Sequence, residues 1–288
     1  MRHAIANWLN EQGRRTNDSS RAKRFYKLAT RIEPRWSVPW YNLGFRTKMI
    51  GQWEDSLHFN QRAVELNADD EAAWWNLGIA ATALHNWEEA RRAWRGFGIA
   101  LEDGPGEVSW TPATACVRLD PNQLGEVVWG DRLDPARIAV LNVPLPESNR
   151  RYRDIILNDG APNGTRKRNG LDVPVFDELA VWQASSYSTF QVELSVPNEE
   201  AEEILREISN DHHVGVEDWS TIRMICAECS RGNPQPHSCK AVPLEGERKR
   251  FGFGAHKPGD VERVLIEWVT RARGCTYENV ELALAATR

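Results

Sequence analysis

The stretches WYNLGF at residues 40–45 and WWNLGI at residues 74–79 decide the fold of the N-terminal third of the chain. They are related by a sequence offset of 34, and the same offset relates Trp53 to Trp87. In each stretch Trp, Leu and Gly stand at i, i+3 and i+4, on one helix face where the glycine lets a second helix approach closely. The spacing therefore predicts two successive helix pairs that are built alike.

A less regular unit precedes these two. Its residues Tyr26 and Ala29 correspond at the same offset to Asn60 and Ala63. The pattern W-x2-L-G, followed by small and aromatic residues at helical spacing, resembles the tetratricopeptide repeat (TPR) family, whose unit is two antiparallel helices. The resemblance covers about residues 1–101 and implies an all-α array of about three helix pairs.

In the resembled family, the first helices of successive repeats line a groove that holds a segment of a partner protein. The groove positions are those on the helix face opposite the packed Trp and Leu side chains. By helical spacing they are Val38, Tyr41, Asn42, Phe45, Lys48 and Met49, followed by Ala72, Trp75, Asn76, Ile79, Thr82 and Ala83. The equivalent residues Asn42 and Asn76 offer a donor and an acceptor to a bound peptide backbone. Alternatively, Tyr41, Phe45 and Trp75 pack against a neighbouring repeat or the second domain.

A run of glycines and one proline between residues 96 and 106 stops helix formation and marks a domain boundary. We therefore expect a TPR array at residues 1–104 and an α+β domain at residues 105–288. Short β-branched segments separated by Pro, Gly, Asn and Asp predict a small antiparallel sheet within residues 109–196. Between them, Arg166, Lys167, Arg168 and Asn169 are expected at an exposed hairpin tip.

A second internal similarity relates residues 188–222 to residues 250–284 at an offset of 61. Each half predicts a strand, a Pro turn, an amphipathic helix and a second strand. In the helices the offset matches Leu205 with Ile266 and Ile208 with Val269. Two such β-α-β halves are typical of a ferredoxin-like domain. The fold class expected for the whole chain is therefore α+β.

The segment between these halves holds a set of candidate metal ligands with the spacing Cys-x2-Cys-x7-His-x-Cys: Cys226, Cys229, His237 and Cys239. Three thiolates and one imidazole match the tetrahedral donor set that zinc prefers, and four protein ligands make a closed, structural site. The sequence therefore predicts zinc in the loop at residues 226–239. A free-thiol loop and a redox Cys-x2-Cys pair are the alternatives. Cys116 and Cys275 stand in apolar surroundings and are predicted core thiols.

The sequence contains few signs of a catalytic site. It has no phosphate-binding loop of the Walker type, no G-x-S-x-G elbow and no H-E-x-x-H pair. His256 with Lys257 is the one pair suited to acid–base work, and the sequence assigns it no carboxylate partner. The sequence therefore predicts no catalytic residues and favours a non-enzymatic role.

Charge is unevenly spread, since residues 1–35 hold nine Lys and Arg against three Asp and Glu although the whole chain has a net charge of −5. This basic first unit offers nucleic acid a footprint, formed by Arg14, Arg15, Arg21, Lys23 and Arg24 and helped by the basic hairpin tip. The overall acidity argues against a general polyanion binder. Nucleic-acid binding is therefore an alternative hypothesis.

The 288 residues are 41% hydrophobic and 27% charged, with a mean hydropathy of −0.56 and no long apolar run. This composition predicts a globular protein without a membrane span. The N-terminal residues lack a secretory signal, and five cysteines agree with a reducing compartment, so a cytoplasmic location is expected.

The expected function is that of a non-enzymatic adaptor, an assembly factor or an inhibitor such as the antidote to a bacterial toxin. In each case the groove of the array binds a segment of another protein. The main alternative is a metal-dependent enzyme in the C-terminal domain, with the array selecting its substrate.

Overall fold

A computed structural model describes residues 1–111, 113–123, 125–221 and 249–287. The chain divides into two compact units. Residues 1–111 and 133–136 form the first unit, and the other described residues belong to the second.

The first unit is an array of six α-helices arranged as three antiparallel pairs, as the sequence predicts. The helices are α1 (Arg2–Arg15), α2 (Ser19–Ile32), α3 (Ser37–Lys48), α4 (Trp53–Leu66), α5 (Glu71–Ala83) and α6 (Trp87–Phe97). Side-chain caps begin three of them: Asp18, Asp70 and Asn86 accept the backbone N–H groups of Arg21, Ala73 and Glu89. Such caps satisfy amide groups that the first turn of a helix leaves unbonded.

The helix pairs repeat at the level of individual contacts. The indole N–H of Trp40 donates to the backbone oxygen of Pro34 at 3.1 Å, and that of Trp74 donates to the oxygen of Ala68 at 2.8 Å. Both the donors and the acceptors of these bonds are related by the offset of 34. The periodicity in the sequence therefore corresponds to a repeated geometry.

The glycines predicted to permit close helix approach do so. A Cβ on Gly44 would overlap the side chain of Asn60, and a Cβ on Gly78 would lie 2.5 Å from the ring of Trp94. Asn60 and Trp94 are equivalent at the same offset, and both are fully buried. Each of these helix pairs thus places one large side chain directly on a glycine.

The second unit begins with a five-stranded closed barrel, where the sequence predicted only a small antiparallel sheet. Its strands are β1 (Ala113–Arg118), β2 (Val127–Arg132), β3 (Arg137–Val140), β4 (Ile155–Arg168) and β5 (Leu171–Gln183). Neighbouring strands are antiparallel, and β1 closes the barrel by pairing in parallel with β5. Apolar side chains fill the interior: Ala115, Val117, Leu119, Val128, Ile138, Val140, Ile156 and Phe176.

The hairpin between β4 and β5 turns at Asn169, one of the four residues expected at its tip. Arg166, Lys167 and Arg168 belong to β4, and the turn is made by Asn169 and Gly170 with positive φ of 51° and 80°. This Asn-Gly pair is the residue type that a tight hairpin turn requires. The basic residues therefore lie along a strand next to the turn.

The rest of the second unit has the ferredoxin-like arrangement that the internal similarity predicts. Its elements are β6 (Ser188–Ser195), α7 (Glu199–Asp211), β7 (Gly215–Asp218), β8 (Lys249–Ala255), α8 (Pro258–Arg271) and β9 (Thr276–Leu284). The sheet order is β7-β8-β6-β9 and all pairs are antiparallel. Short 3₁₀ helices lie at Pro146–Ser148 and Trp219–Thr221.

The offset between the two halves changes from strand to helix. Phe190 of β6 and Phe251 of β8, which both pack beneath the helices, are related by an offset of 61. In the helices, however, the buried residue Leu205 corresponds to the buried Leu265, at an offset of 60, while Ile266 is exposed. The expected match of Leu205 with Ile266 is therefore wrong by one position, because the link between strand and helix is shorter by one position in the second half.

The opposite face of β8 packs on side chains from outside the sheet. A Cβ on Gly252 would overlap the ring of Trp219, and a Cβ on Gly254 would lie 2.6 Å from Tyr152. The indole N–H of Trp219 donates to the oxygen of Val143 at 2.9 Å. The face of the sheet away from α7 and α8 is thus covered in part by the segment after β3.

Candidate partner-binding surface

The face of α3 that the sequence assigns to partner binding is partly open to solvent. Val38 is 38% exposed and Met49, just beyond the end of the helix, is 48% exposed. Between them, Tyr41, Asn42 and Phe45 are half-buried. We call these five residues, Val38, Tyr41, Asn42, Phe45 and Met49, the α3 face.

The two aromatic rings of the α3 face lie side by side. The rings of Tyr41 and Phe45 are nearly parallel, with centroids 6.4 Å apart, and the ammonium group of Lys48 lies 5.1 Å from the centre of the Phe45 ring. A cation at this distance is attracted to the ring face. The Tyr41 and Phe45 rings therefore form one aromatic surface, and the positive group beside Phe45 is buried.

The equivalent residues Asn42 and Asn76 tie successive helix pairs together. Asn42 Nδ2 donates to Asn10 Oδ1 of α1 at 2.8 Å. Asn76 Oδ1 accepts from Lys48 Nζ of α3, also at 2.8 Å, and both of these side chains are buried. Each asparagine thus bonds the first helix of the preceding pair. This contact between repeats is a role that the sequence reasoning did not foresee.

The positions assigned to the third pair are mostly enclosed. Ile79 and Thr82 are fully buried. Trp75 is half-buried, with its ring edge-to-face against Trp94 at 5.1 Å and Phe97 at 4.6 Å. The open part of the predicted groove is therefore concentrated on α3.

Two carboxyl groups of the second unit lie in low-polarity surroundings that the sequence did not reveal. Glu126 accepts the backbone N–H of Leu145 at 3.1 Å, and Glu217 accepts a hydrogen bond from Asn142 Nδ2 at 2.6 Å. Burial raises the pKa of Glu126 to about 7 and also raises the pKa of Glu217. Nothing in the spacing of these glutamates distinguishes them from surface residues.

The candidate metal ligands Cys226, Cys229, His237 and Cys239 lie outside the described residues. Within the described ranges, no group of three or more His, Cys, Asp or Glu side chains is placed to hold a metal ion. The other two cysteines, Cys116 and Cys275, are buried thiols, as predicted. Burial raises the pKa of Cys116 to about 12, so this thiol stays protonated at neutral pH.

The only side-chain pair suggested for acid–base work is not arranged as one. His256 stacks on Tyr187 with ring centroids 4.2 Å apart, and its Nδ1 lies 3.2 Å from the backbone oxygen of Ser186. Lys257 precedes α8 as its N-terminal cap residue. The contacts of the imidazole are therefore to a ring, a backbone carbonyl and, at 3.5 Å, the hydroxyl of Ser186.

The basic residues proposed for nucleic acid are partly engaged within the fold. Arg14 pairs with Glu11 at 3.0 Å, and Lys23 pairs with Asp55 at 2.7 Å. At the hairpin, Lys167 pairs with Asp172 at 2.9 Å. These ion pairs reduce the positive charge that each site offers to a polyanion.

No family model matches the chain, and no curated protein matches it. Three similar solved structures have low TM-scores. The second TPR of Spaghetti (RPAP3) bound to HSP90 peptide SRMEEVD is 18% identical over 32% of this chain and 89% of its own, with a TM-score of 0.31. The CopN-Scc3 complex is 19% identical over 35% of this chain and 61% of its own, also at 0.31.

The third structure is a hypothetical protein from Neisseria gonorrhoeae, 12% identical over 62% of this chain and 99% of its own, with a TM-score of 0.24. Likeness at this level assigns neither a family nor a function, so both have to be argued from the chain's own residues. In the part of the chain that the structure describes, no helix has the length and apolarity to span a membrane.

Proposed function

We propose that the chain is a protein-interaction module whose first unit, a TPR-like array, binds a segment of a partner protein along the α3 face. One observation carries the proposal: α3 has apolar side chains on two sides. Leu43 is buried against neighbouring helices, while Val38 and Met49 remain exposed on the other side. A helix that serves only to pack exposes a polar face to solvent instead.

The dimensions of the α3 face suit a short extended peptide. Val38 and Met49 are 11 positions apart, which is roughly 16 Å along a helix. About five residues of an extended chain cover that distance. Val38 and Met49 would contact apolar side chains of the peptide, and the rings of Tyr41 and Phe45 would support its centre. Asn42, half-buried among them, would bond the peptide backbone.

The double substitution Val38→Glu with Met49→Glu tests this function. Both residues are exposed, so charge there leaves the helix packing intact but opposes apolar contact. The matched control is Ile266→Glu, which places a charge on an exposed isoleucine of α8. The measurement is affinity capture from a native lysate with the wild type and both variants, followed by the dissociation constant for the captured protein.

The proposal expects a protein that binds the wild type and the Ile266→Glu control equally. The double variant should lose at least about tenfold in affinity, or about 1.4 kcal/mol of binding free energy. A partner that binds all three proteins equally would place its site elsewhere and contradict the proposal. If the partner binds as proposed, its identity would distinguish an adaptor from an assembly factor or an inhibitor such as a toxin antidote.

We also propose that Cys226, Cys229, His237 and Cys239 hold a structural zinc ion. The donor set of three thiols and one imidazole supports this proposal. Cys229→Ser should abolish bound zinc, measured by elemental analysis of purified protein, while Cys116→Ser should leave it unchanged. Unaltered metal content in Cys229→Ser would contradict the four-ligand assignment.

A further inference from the structure

The first helix of the array carries an apolar stripe on its exposed side. Ile5 and Trp8 of α1, with Met1 just before the helix, stand at i+4, i+7 and i, so they align along one side of α1. Ile5 is 46% exposed and Trp8 is 57% exposed. We call these three residues the α1 stripe. Large apolar side chains grouped in this way mark an interaction surface more often than single exposed ones do.

The repeat offset of 34 shows what covers the position of Ile5 in the other helix pairs. The equivalents of Ile5 are Pro39 in α3 and Ala73 in α5, and both are buried. Ala73 packs in one apolar cluster with Ala63 and Val64 of α4, which belongs to the preceding pair. In the third pair, this position is therefore the contact with the helix pair before it.

The position of Trp8 also contacts the preceding helix pair in the other repeats, through hydrogen bonds. Its equivalents are Asn42 and Asn76, and each bonds the first helix of the preceding pair, Asn42 through Asn10 and Asn76 through Lys48. In the first pair an exposed tryptophan takes the place of an asparagine. A large apolar ring at a stacking position suits a packed partner and not a polar end cap.

We propose that the α1 stripe docks an amphipathic helix of a partner protein, with acidic residues flanking its apolar face, in the place that a preceding helix pair would take. The geometry of the repeat specifies a helix as the occupant. Charge specifies its flanks, because the guanidinium groups of Arg2 and Arg15 are exposed at the two ends of α1. A second copy of this chain would bring these positive ends together, which is unfavourable.

This surface is distinct from the α3 face, so the proposal does not rest on the proposed function. The exposed residues of the α1 stripe belong to a different helix from Val38 and Met49. A variant of one surface can therefore be tested for its effect on the other, and failure of one proposal leaves the other standing.

The test uses two labelled synthetic helices with the same apolar face, one flanked by glutamates and the other by lysines. Binding to the full chain is measured by fluorescence anisotropy at several salt concentrations. The variant is Ile5→Ala with Trp8→Ala, and the control is Ile266→Ala with Leu282→Ala, which removes exposed apolar side chains from the second unit. Sedimentation of the unliganded proteins reports self-association, and thermal melting confirms that each variant is folded.

The proposal expects the acidic helix to bind wild type and control alike, and to lose at least about tenfold in affinity for the α1 variant. It expects the basic helix to bind much more weakly, and the binding of the acidic helix to weaken as salt rises. Failure of the acidic helix to bind, equal binding of both helices, or undiminished binding to the α1 variant would each overturn it. Self-association of the wild type that the α1 variant abolishes would also overturn it, in favour of a second copy.

Discussion

The helical array and the ferredoxin-like part of the second unit are both internal duplications, yet they retain different features. In the array, the offset of 34 holds from the contact of Gly44 with Asn60 to that of Gly78 with Trp94. In the ferredoxin-like part, the offset is 61 in the strands and 60 in the helices, so equivalent residues stay buried without keeping one common spacing.

The difference follows from what each contact requires. Two helices that touch at a glycine fix that glycine and its position along both helices, since any added side chain overlaps the neighbouring one. A helix layer over a sheet needs only apolar residues at the buried positions, and the connecting link can change length without exposing them. The glycine and the repeat length are thus retained where backbones approach closely, whereas the spacing between equivalent residues can change where layers stack.

The largest effect is expected at the closest approach in the array. Gly78→Leu places a side chain against the ring of Trp94, 2.5 Å from where its Cβ begins, and should lower the free energy of unfolding by about 3 kcal/mol. Chemical denaturation followed by circular dichroism measures it. Gly104→Ala is the control, because no atom lies within 4 Å of its added Cβ, and it should stay within about 0.5 kcal/mol of wild type. Unchanged stability of Gly78→Leu would contradict the claim that the close helix approach requires this glycine.

A smaller effect is expected from the half-buried carboxyl group of Glu126. Its pKa in the folded protein is raised from 4.5 to about 7, so the folded state binds a proton that the unfolded state has released. Stability from this group is therefore full below pH 4.5 and is lost as pH rises to about 7. Glu126→Gln mimics the protonated group and should exceed wild type by on the order of 2 kcal/mol at about pH 8, with the gap closing towards about pH 5.

The measurement is chemical denaturation of both proteins across this pH range. A gap between Glu126→Gln and wild type that is independent of pH would show that the ionisation of Glu126 is not linked to folding. A gap that widened towards acid would contradict the sign of the pKa shift.

The smallest effect is expected when the stability losses of two buried tryptophans, one from each unit, are compared. Trp268 donates its indole N–H to the oxygen of Ala201 at 2.7 Å, whereas the indole N–H of Trp94 has no partner among the described residues. Trp268→Phe removes a buried hydrogen bond to the Ala201 oxygen, while Trp94→Phe removes an unbonded donor. Trp268→Phe should therefore cost about 1–2 kcal/mol more than Trp94→Phe in denaturant titrations. Equal losses, or a larger loss at Trp94, would contradict this accounting.

The array could be predicted from the sequence because its contacts constrain residue identity. Trp40 and Trp74, with the glycines that follow them, recur at a fixed spacing and correspond to the two equivalent indole bonds. Helical spacing also placed Val38 and Met49 on an open face. It could not show that Lys48 bonds Asn76, because that contact joins two helices whose relative rotation no single-helix pattern contains.

The barrel was harder to predict because β5 does not have the pattern of a strand. The segment from Leu171 to Gln183 contains Pro174 and the acidic pair Asp177 and Glu178, residues that are depleted in strands. The parallel pairing of β1 with β5 joins residues far apart in the sequence, such as Cys116 with Val175. Closure of the barrel therefore depends on long-range pairing that local sequence does not encode.

The half-buried glutamates Glu126 and Glu217 were not predicted, for a similar reason. Glu126 and Glu217 lie far apart in the sequence. Glu126 directly precedes β2 and Glu217 lies within β7, and the neighbouring residues are typical of strands. Their raised pKa values come from burial, which depends on the tertiary fold. A single sequence contains no local sign of such surroundings.

The central claim, that the α3 face holds a partner segment, is tested most directly by site-specific photocrosslinking in native lysate. A photoreactive residue at position 49 is compared with one at position 266, which is similarly open to solvent but lies on α8. We expect a discrete adduct from position 49 that disappears when Val38→Glu is added, and no such adduct from position 266. The same adduct from both positions, or an adduct from position 49 that Val38→Glu leaves unchanged, would contradict it.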